Sequence, residues 1–170
     1  MNTETNYMIN HMTKIGSIVS GKQKKFWDWK VSHAKPVKCV PVEEVLTPQE
    51  IERIKALTPM MKECFKNAAS IVMFANIEGV AYVEGELGIG NIIGIEHAFN
   101  RRGDKYFDVT LELGAGRDVR GEDYVSVLEV EDRSEISDVI LECKMWTSLI
   151  PYFAMKELET EDNKVSQCDF

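Results

Sequence analysis

The sequence predicts an α+β fold, with helices packed on an antiparallel sheet, on three observations. Apolar residues recur at three- and four-residue steps through Met61, Cys64, Phe65, Ala68, Ala69, Val72 and Met73, the spacing of a helix with one face on a core. Four later runs, residues 79–87, 92–100, 105–113 and 124–131, read as strands separated by turn residues. Between the second and third of them, Arg101, Arg102, Gly103 and Asp104 signal a tight hairpin, which makes those two strands antiparallel neighbours.

In chain order, residues 1–20 show no strong periodicity and are expected to be loosely held. Pro36 and Pro41 bias the residues before them toward extended backbone, so residues 35–42 should be extended. Thr47, Pro48 and Glu50 have the order of an N-cap, a first helical residue and a capping-box partner, predicting a helix to about residue 57. Thr58 and Pro59 signal the next helix, which would carry Cys64 in its second turn. After the strands, residues 132–135 repeat a capping-box-like order ahead of an additional C-terminal helix through Ile136, Val139, Cys143 and Trp146, with Pro151 as its stop. Residues 157–170 read as an acidic tail. Residues 84–94 hold Gly85, Gly88, Gly90 and Gly94 without the spacing of a P-loop or dinucleotide fingerprint, and are expected to form a flexible loop beside a cleft.

A chain of 170 residues that is 44% apolar can bury one good core but is short for two. A single domain is therefore expected over residues 39–156. Cys39, Cys64, Cys143 and Cys168 are widely spaced with no CxxC pair, and the opening residues are polar, which favours a cytoplasmic protein. No apolar run approaches the roughly 20 residues that cross a bilayer, so no membrane span is expected. The net charge of −8 is uneven: seven lysines against Glu4 and Asp28 make residues 1–38 an arm of +5, which leaves −13 for the rest. Phe26, Trp27 and Trp29 alternate with the arm's lysines, a composition that can stack on bases and pair with phosphates. Docking of this basic, aromatic arm onto the acidic body is the reading favoured over nucleic-acid binding.

Cys64, His97 and Asp108 follow one another on the predicted helix and the hairpin-linked strands. A thiol is mostly protonated at neutral pH, an imidazole can take its proton, and a carboxylate can hold that imidazole in one tautomer. The run His97-Ala98-Phe99-Asn100, followed by Tyr106-Phe107-Asp108-Val109-Thr110, resembles the His-Ala-Trp and Asp-Pro-Thr signatures of transglutaminase-like cysteine enzymes, with Phe99 and Val109 at the departing positions. Tyr82-Val83-Glu84-Gly85 resembles the preceding strand, and Cys64 with Asn67 and Ala68 the nucleophile helix. The resemblance spans residues 61–112. It implies a papain-like or transglutaminase-like fold, a thiolate at Cys64, a general base at His97 and an orienting carboxylate at Asp108.

The implied function is an amide or acyl-group hydrolase or acyltransferase working through a Cys64 thioester on a protein, a peptide or a small amide. Hydrolysis, deamidation and acyl transfer stay open, as does oligomeric state. Residues 57–63 offer no oxyanion donor except the Thr58 hydroxyl, with Gln49 as a distant substitute. That gap keeps alive an alternative, a non-catalytic binding or inhibitor protein of the same fold. Cys64, His97 and Asp108 are also permitted zinc ligands, but no local pair has ligand spacing, and no metal or cofactor is expected. Glu84 and Glu96 are expected on solvated strand faces, and Cys143 as a small buried hydrophobe.

Overall fold

The computed structural model describes residues 7–89 and 93–167. An antiparallel five-stranded sheet in the order β1-β5-β2-β3-β4 is its centre. The strands are β1 (Lys35–Val37), β2 (Val80–Ile89), β3 (Ile93–Arg102), β4 (Lys105–Phe107) and β5 (Tyr124–Val130). β2 and β3 form a long hairpin in register from Val80↔Arg102 to Ile89↔Ile93, and β3 turns through Gly103 into β4. The sheet curls because the segment after β1, on one edge, reaches β4 on the other. There Cys39 bridges Tyr106, and the Val40 N–H donates to the Tyr106 carbonyl at 2.8 Å.

Among the described residues, six α-helices pack around the sheet: α1 (Tyr7–Ile18), α2 (Gly21–His33), α3 (Pro48–Ala56), α4 (Cys64–Phe74), α5 (Arg133–Cys143) and α6 (Ile150–Gln167). α3 begins with the Thr47–Glu50 capping box read from the sequence, with Pro48 inside it. α4 packs across β2 and β3 through Ala68, Ala69, Tyr82 and Ala98, and Asn100 Nδ2 ties it down by donating to the Ala68 carbonyl. Small side chains at 68 and 69 let the helix backbone come close to the sheet. α1 and α2 lie over β5 and α6, where Met8, Met12 and Trp29 meet Val125, Val127, Ile150 and Ala154. Lys30 is buried there, its ammonium 3.0 Å from Glu86 and 5.0 Å from the Trp27 ring centre. Among the described residues, no helix is long and apolar enough to cross a membrane.

The structure corrects several expectations. Residues 58–63 are not the first turn of the α4 helix: Thr58 and Lys62 have positive φ, and helix begins at Cys64. The third strand stops at Phe107 rather than residue 113, because the Asp108 side chain accepts the N–H groups of Thr110 and Leu111 and the chain turns into a short π-helix at Thr110–Gly114. Residues 7–18, expected to lack regular structure, form α1 with Met8 and Met12 one turn apart on its buried side. Pro151 starts a helix instead of stopping one: α5 ends at Cys143 with Lys144 left-handed, and Pro151 is the second residue of α6, where its missing N–H costs nothing. Consequently much of the expected acidic tail is helical, while its residues 168–170, Cys168 among them, lie outside the described residues. Cys143 is exposed, not buried. The glycine-rich run is mostly strand, with residues 90–92 outside the described residues.

Candidate active site

Cys64 is the first residue of α4, after Glu63 at the N-cap. The first bond of the helical ladder runs from Asn67 N–H to the Glu63 carbonyl, so the N–H groups of Cys64, Phe65 and Lys66 precede it and have no partner within the helix. A helix N-terminus of this kind presents unpaired N–H groups and the positive end of the helix dipole.

His97 lies in β3 directly opposite Gly85. β2 is irregular between Glu84 and Gly85 as it changes register against β5, and a Cβ at Gly85 would collide with the Val125 carbonyl. Only glycine lets β5 close up behind the histidine. Asp108 is the first residue beyond β4. It is fully buried, and both its oxygens are used. Oδ2 meets His97 Nε2 at 2.7 Å and accepts from the Tyr124 hydroxyl at 3.0 Å. Oδ1 accepts the N–H groups of Thr110 at 2.9 Å and Leu111 at 3.1 Å.

Cys64 and His97 line the same cleft, and Cys64 is among the groups that favour a charged His97 ring. Burial works against a charged His97 ring, but Asp108, and then Cys64, outweigh it and push its pKa up to about 10. The ring is thus held toward its protonated form, with Nε2 on the carboxylate. Cys64 and His97 open together onto a cleft of about 540 Å³, whose wall includes Met61, Phe65, Ile95 and Leu111.

Two supporting residues were not assigned these roles from sequence. Asn67, one turn after Cys64, donates to the Met60 carbonyl at 2.7 Å and the Thr110 hydroxyl at 3.0 Å, and accepts from Met60 N–H at 3.2 Å. It ties the loop before the thiol to the turn that holds Asp108. Tyr124 supplies the second donor to Asp108 Oδ2. The spacing Asp108-x-Thr110 was a legible signal, since an aspartate side chain commonly accepts the N–H two residues on; the tyrosine gave none. Gln49 is exposed on α3 and Thr58 donates to the Leu57 carbonyl, and neither lines the cleft. No three His, Cys, Asp or Glu side chains among the described residues form a metal-binding group.

Glu84 corrects the solvated-face reading; Glu96, by contrast, has a 62% exposed side chain. Glu84 is fully buried, accepting from the Tyr82 hydroxyl at 2.8 Å, from Leu149 N–H at 2.7 Å and from Ser148 Oγ. Its carboxyl thus caps the start of α6 from β2. Burial pushes its pKa up to about 7, against the lowering effect of these donors. An unfolded glutamate titrates near about 4.3, so the folded chain holds this proton longer. The stability so gained is complete below that value and is lost as pH rises through about 7. Urea unfolding of Glu84→Gln should show a shallower loss of stability across this window; Glu112, also raised to about 7, keeps the slope from vanishing. An unchanged slope would show that Glu84 does not titrate there.

Fold and site together define an α+β protein in which a helix-terminal thiol and an imidazole bonded to a buried carboxylate open onto one cleft. No family model matches the chain, and neither a curated protein nor a solved structure matches it.

Proposed function

We propose that the protein is a cysteine-dependent acyl-group enzyme, in which Cys64 is the nucleophile, His97 the general base and acid, and Asp108 the residue that orients the imidazole. The observation that carries this reading is that Cys64, at the N-terminus of α4, and His97, whose Nε2 is held by buried Asp108, line one cleft. In this mechanism the thiol proton already resides on His97, and the Cys64 thiolate attacks the carbonyl carbon. The oxyanion forms against the N–H groups of Cys64 and Phe65, donors that the sequence reading lacked and that such chemistry requires. Collapse of the intermediate gives the Cys64 thioester, and His97 protonates the leaving amine. Water or a second amine, deprotonated by His97, then attacks the thioester carbonyl and releases the acid or a new amide, with the thiol restored. A papain-like or transglutaminase-like fold is the reading the resemblance of residues 61–112 supports.

Brief iodoacetamide treatment of the native protein, read by mass spectrometry, tests the thiol. Cys143 is exposed and serves as an unactivated control, while Cys39 is buried with its pKa raised by desolvation and by Asp108. Cys64, only 8% exposed, should nevertheless be modified first, and His97→Ala should slow it to the rate of Cys143 or below. Faster modification of Cys143 in the native protein would return Cys64 to the role of a small core residue and favour a non-catalytic binding protein.

A further inference from the structure

Much of the wall of the cleft above Cys64 is apolar, with charged side chains at its rim. Met61 and Phe65 flank the thiol, Leu87 and Ile95 come from the β2–β3 hairpin, and Leu111 from the turn after Asp108. Met61 is 60% and Ile95 40% exposed, so large apolar side chains stand open to water at the mouth. Such a surface, grouped around one concavity, marks a site that a ligand covers. Charges on the same rim cancel, Lys62 and Arg117 against Glu96 and Glu122. Arg117 Nη2 donates to Glu122 at 2.7 Å, and Glu96 lies 3.8 Å from the Lys30 ammonium. A cationic ligand group entering here would lose hydration with both rim carboxylates already paired.

We propose, resting on the thioester reading above, that the cleft selects a peptide acyl donor with an apolar side chain of the leucine or phenylalanine class beside the reacting carbonyl. The cleft volume of about 540 Å³ falls within the roughly 300–1,000 Å³ of sites that enclose small ligands. The side chain lies against Met61, Ile95 and Leu111, while the carbonyl faces the sulfur and the first N–H groups of α4.

Two readouts on the full chain separate this assignment from the thiol chemistry. In Cys64→Ala protein, the methyl resonances of Met61 and Ile95 are followed while capped dipeptide amides ending in leucine, lysine or aspartate are added. Saturable shifts with the leucine peptide and not with the other two are expected, and Ile95→Asp should abolish them. Equal shifts with all three peptides, or none with any, would overturn the assignment. In wild-type protein, peptidyl acyloxymethyl ketones are applied and modification of Cys64 is timed by mass spectrometry. The leucine probe should react at least about 10-fold faster than the aspartate probe, the discrimination an apolar pocket supplies. Leucine-selective shifts without any modification of Cys64 would uphold the cleft assignment and overturn the thioester reading instead.

Discussion

Cys64→Ala and His97→Ala should each reduce acyl-group turnover by about 10⁴-fold or more, and the double variant should be no worse than either single one. The motive is that in the proposed mechanism neither residue has a task without the other: the imidazole holds the proton of that sulfur, and Asp108 fixes the ring through Nε2. Steady-state kinetics on an apolar peptide amide measures the three rates. A double loss equal to the product of the two single losses would mean that thiol and imidazole act independently, and the concerted mechanism would be wrong. Asp108→Asn adds a structural cost that sequence reasoning would not suggest. Both carboxylate oxygens accept, one from two backbone N–H groups and the other from His97 and Tyr124. An asparagine must turn its NH₂ toward one of these pairs, and each buried donor left unpaired costs about 1–3 kcal/mol. The variant should therefore melt at a lower temperature as well as react slowly.

What could be read from the sequence, and what could not, follows from the range of the forces involved. The α3 capping box, the hairpin at Gly103 and the spacing of Cys64 on α4 depend on neighbours within a few residues, and local patterns report them. The α+β class followed from those elements. The start of α4 did not, because Asn67 holds residue 60 in a loop through its side chain, and Pro59 gives the same signal in a turn as at a helix start. Glu84 alternates like a surface residue along β2, yet it is buried because the start of α6, more than 60 residues later, needs an acceptor there. Pro151 is equally ambiguous in isolation, since proline ends one helix as readily as it begins another. For the site, the residue types and their order were visible in the sequence. The oxyanion donor that the sequence does not show is, in the proposed mechanism, supplied by the first N–H groups of α4, which begins at Cys64 and not at residue 59.

Removal of residues 1–33 should lower the melting temperature on the order of 10 °C or more, the response of a chain this size to a loss of several kcal/mol. α1 and α2 cover β5 and α6 with Met8, Met12 and Trp29, all nearly inaccessible to water. An indole buries roughly 150–250 Å², which at about 25 cal/mol per Å² stabilises the chain by some 5 kcal/mol before ordering costs are subtracted. Truncation would also leave Glu86, already with one unpaired oxygen, without the Lys30 ammonium, and Glu157 without the Trp29 indole N–H. The opposite charges of arm and body play a smaller part, because attraction between exposed groups is screened within about 8 Å at physiological salt. The Lys30–Glu86 pair is buried and largely escapes that screening. The intact protein should accordingly melt at nearly the same temperature in low and high salt, bind little of a dye specific for exposed apolar surface, and pass through a single-stranded DNA column at physiological salt. The truncated chain should bind the dye strongly. An unchanged melting temperature after truncation, joined to tight and steeply salt-dependent retention of the intact protein on DNA, would make the lysines and tryptophans of α2 a nucleic-acid surface instead of a packed layer of the core.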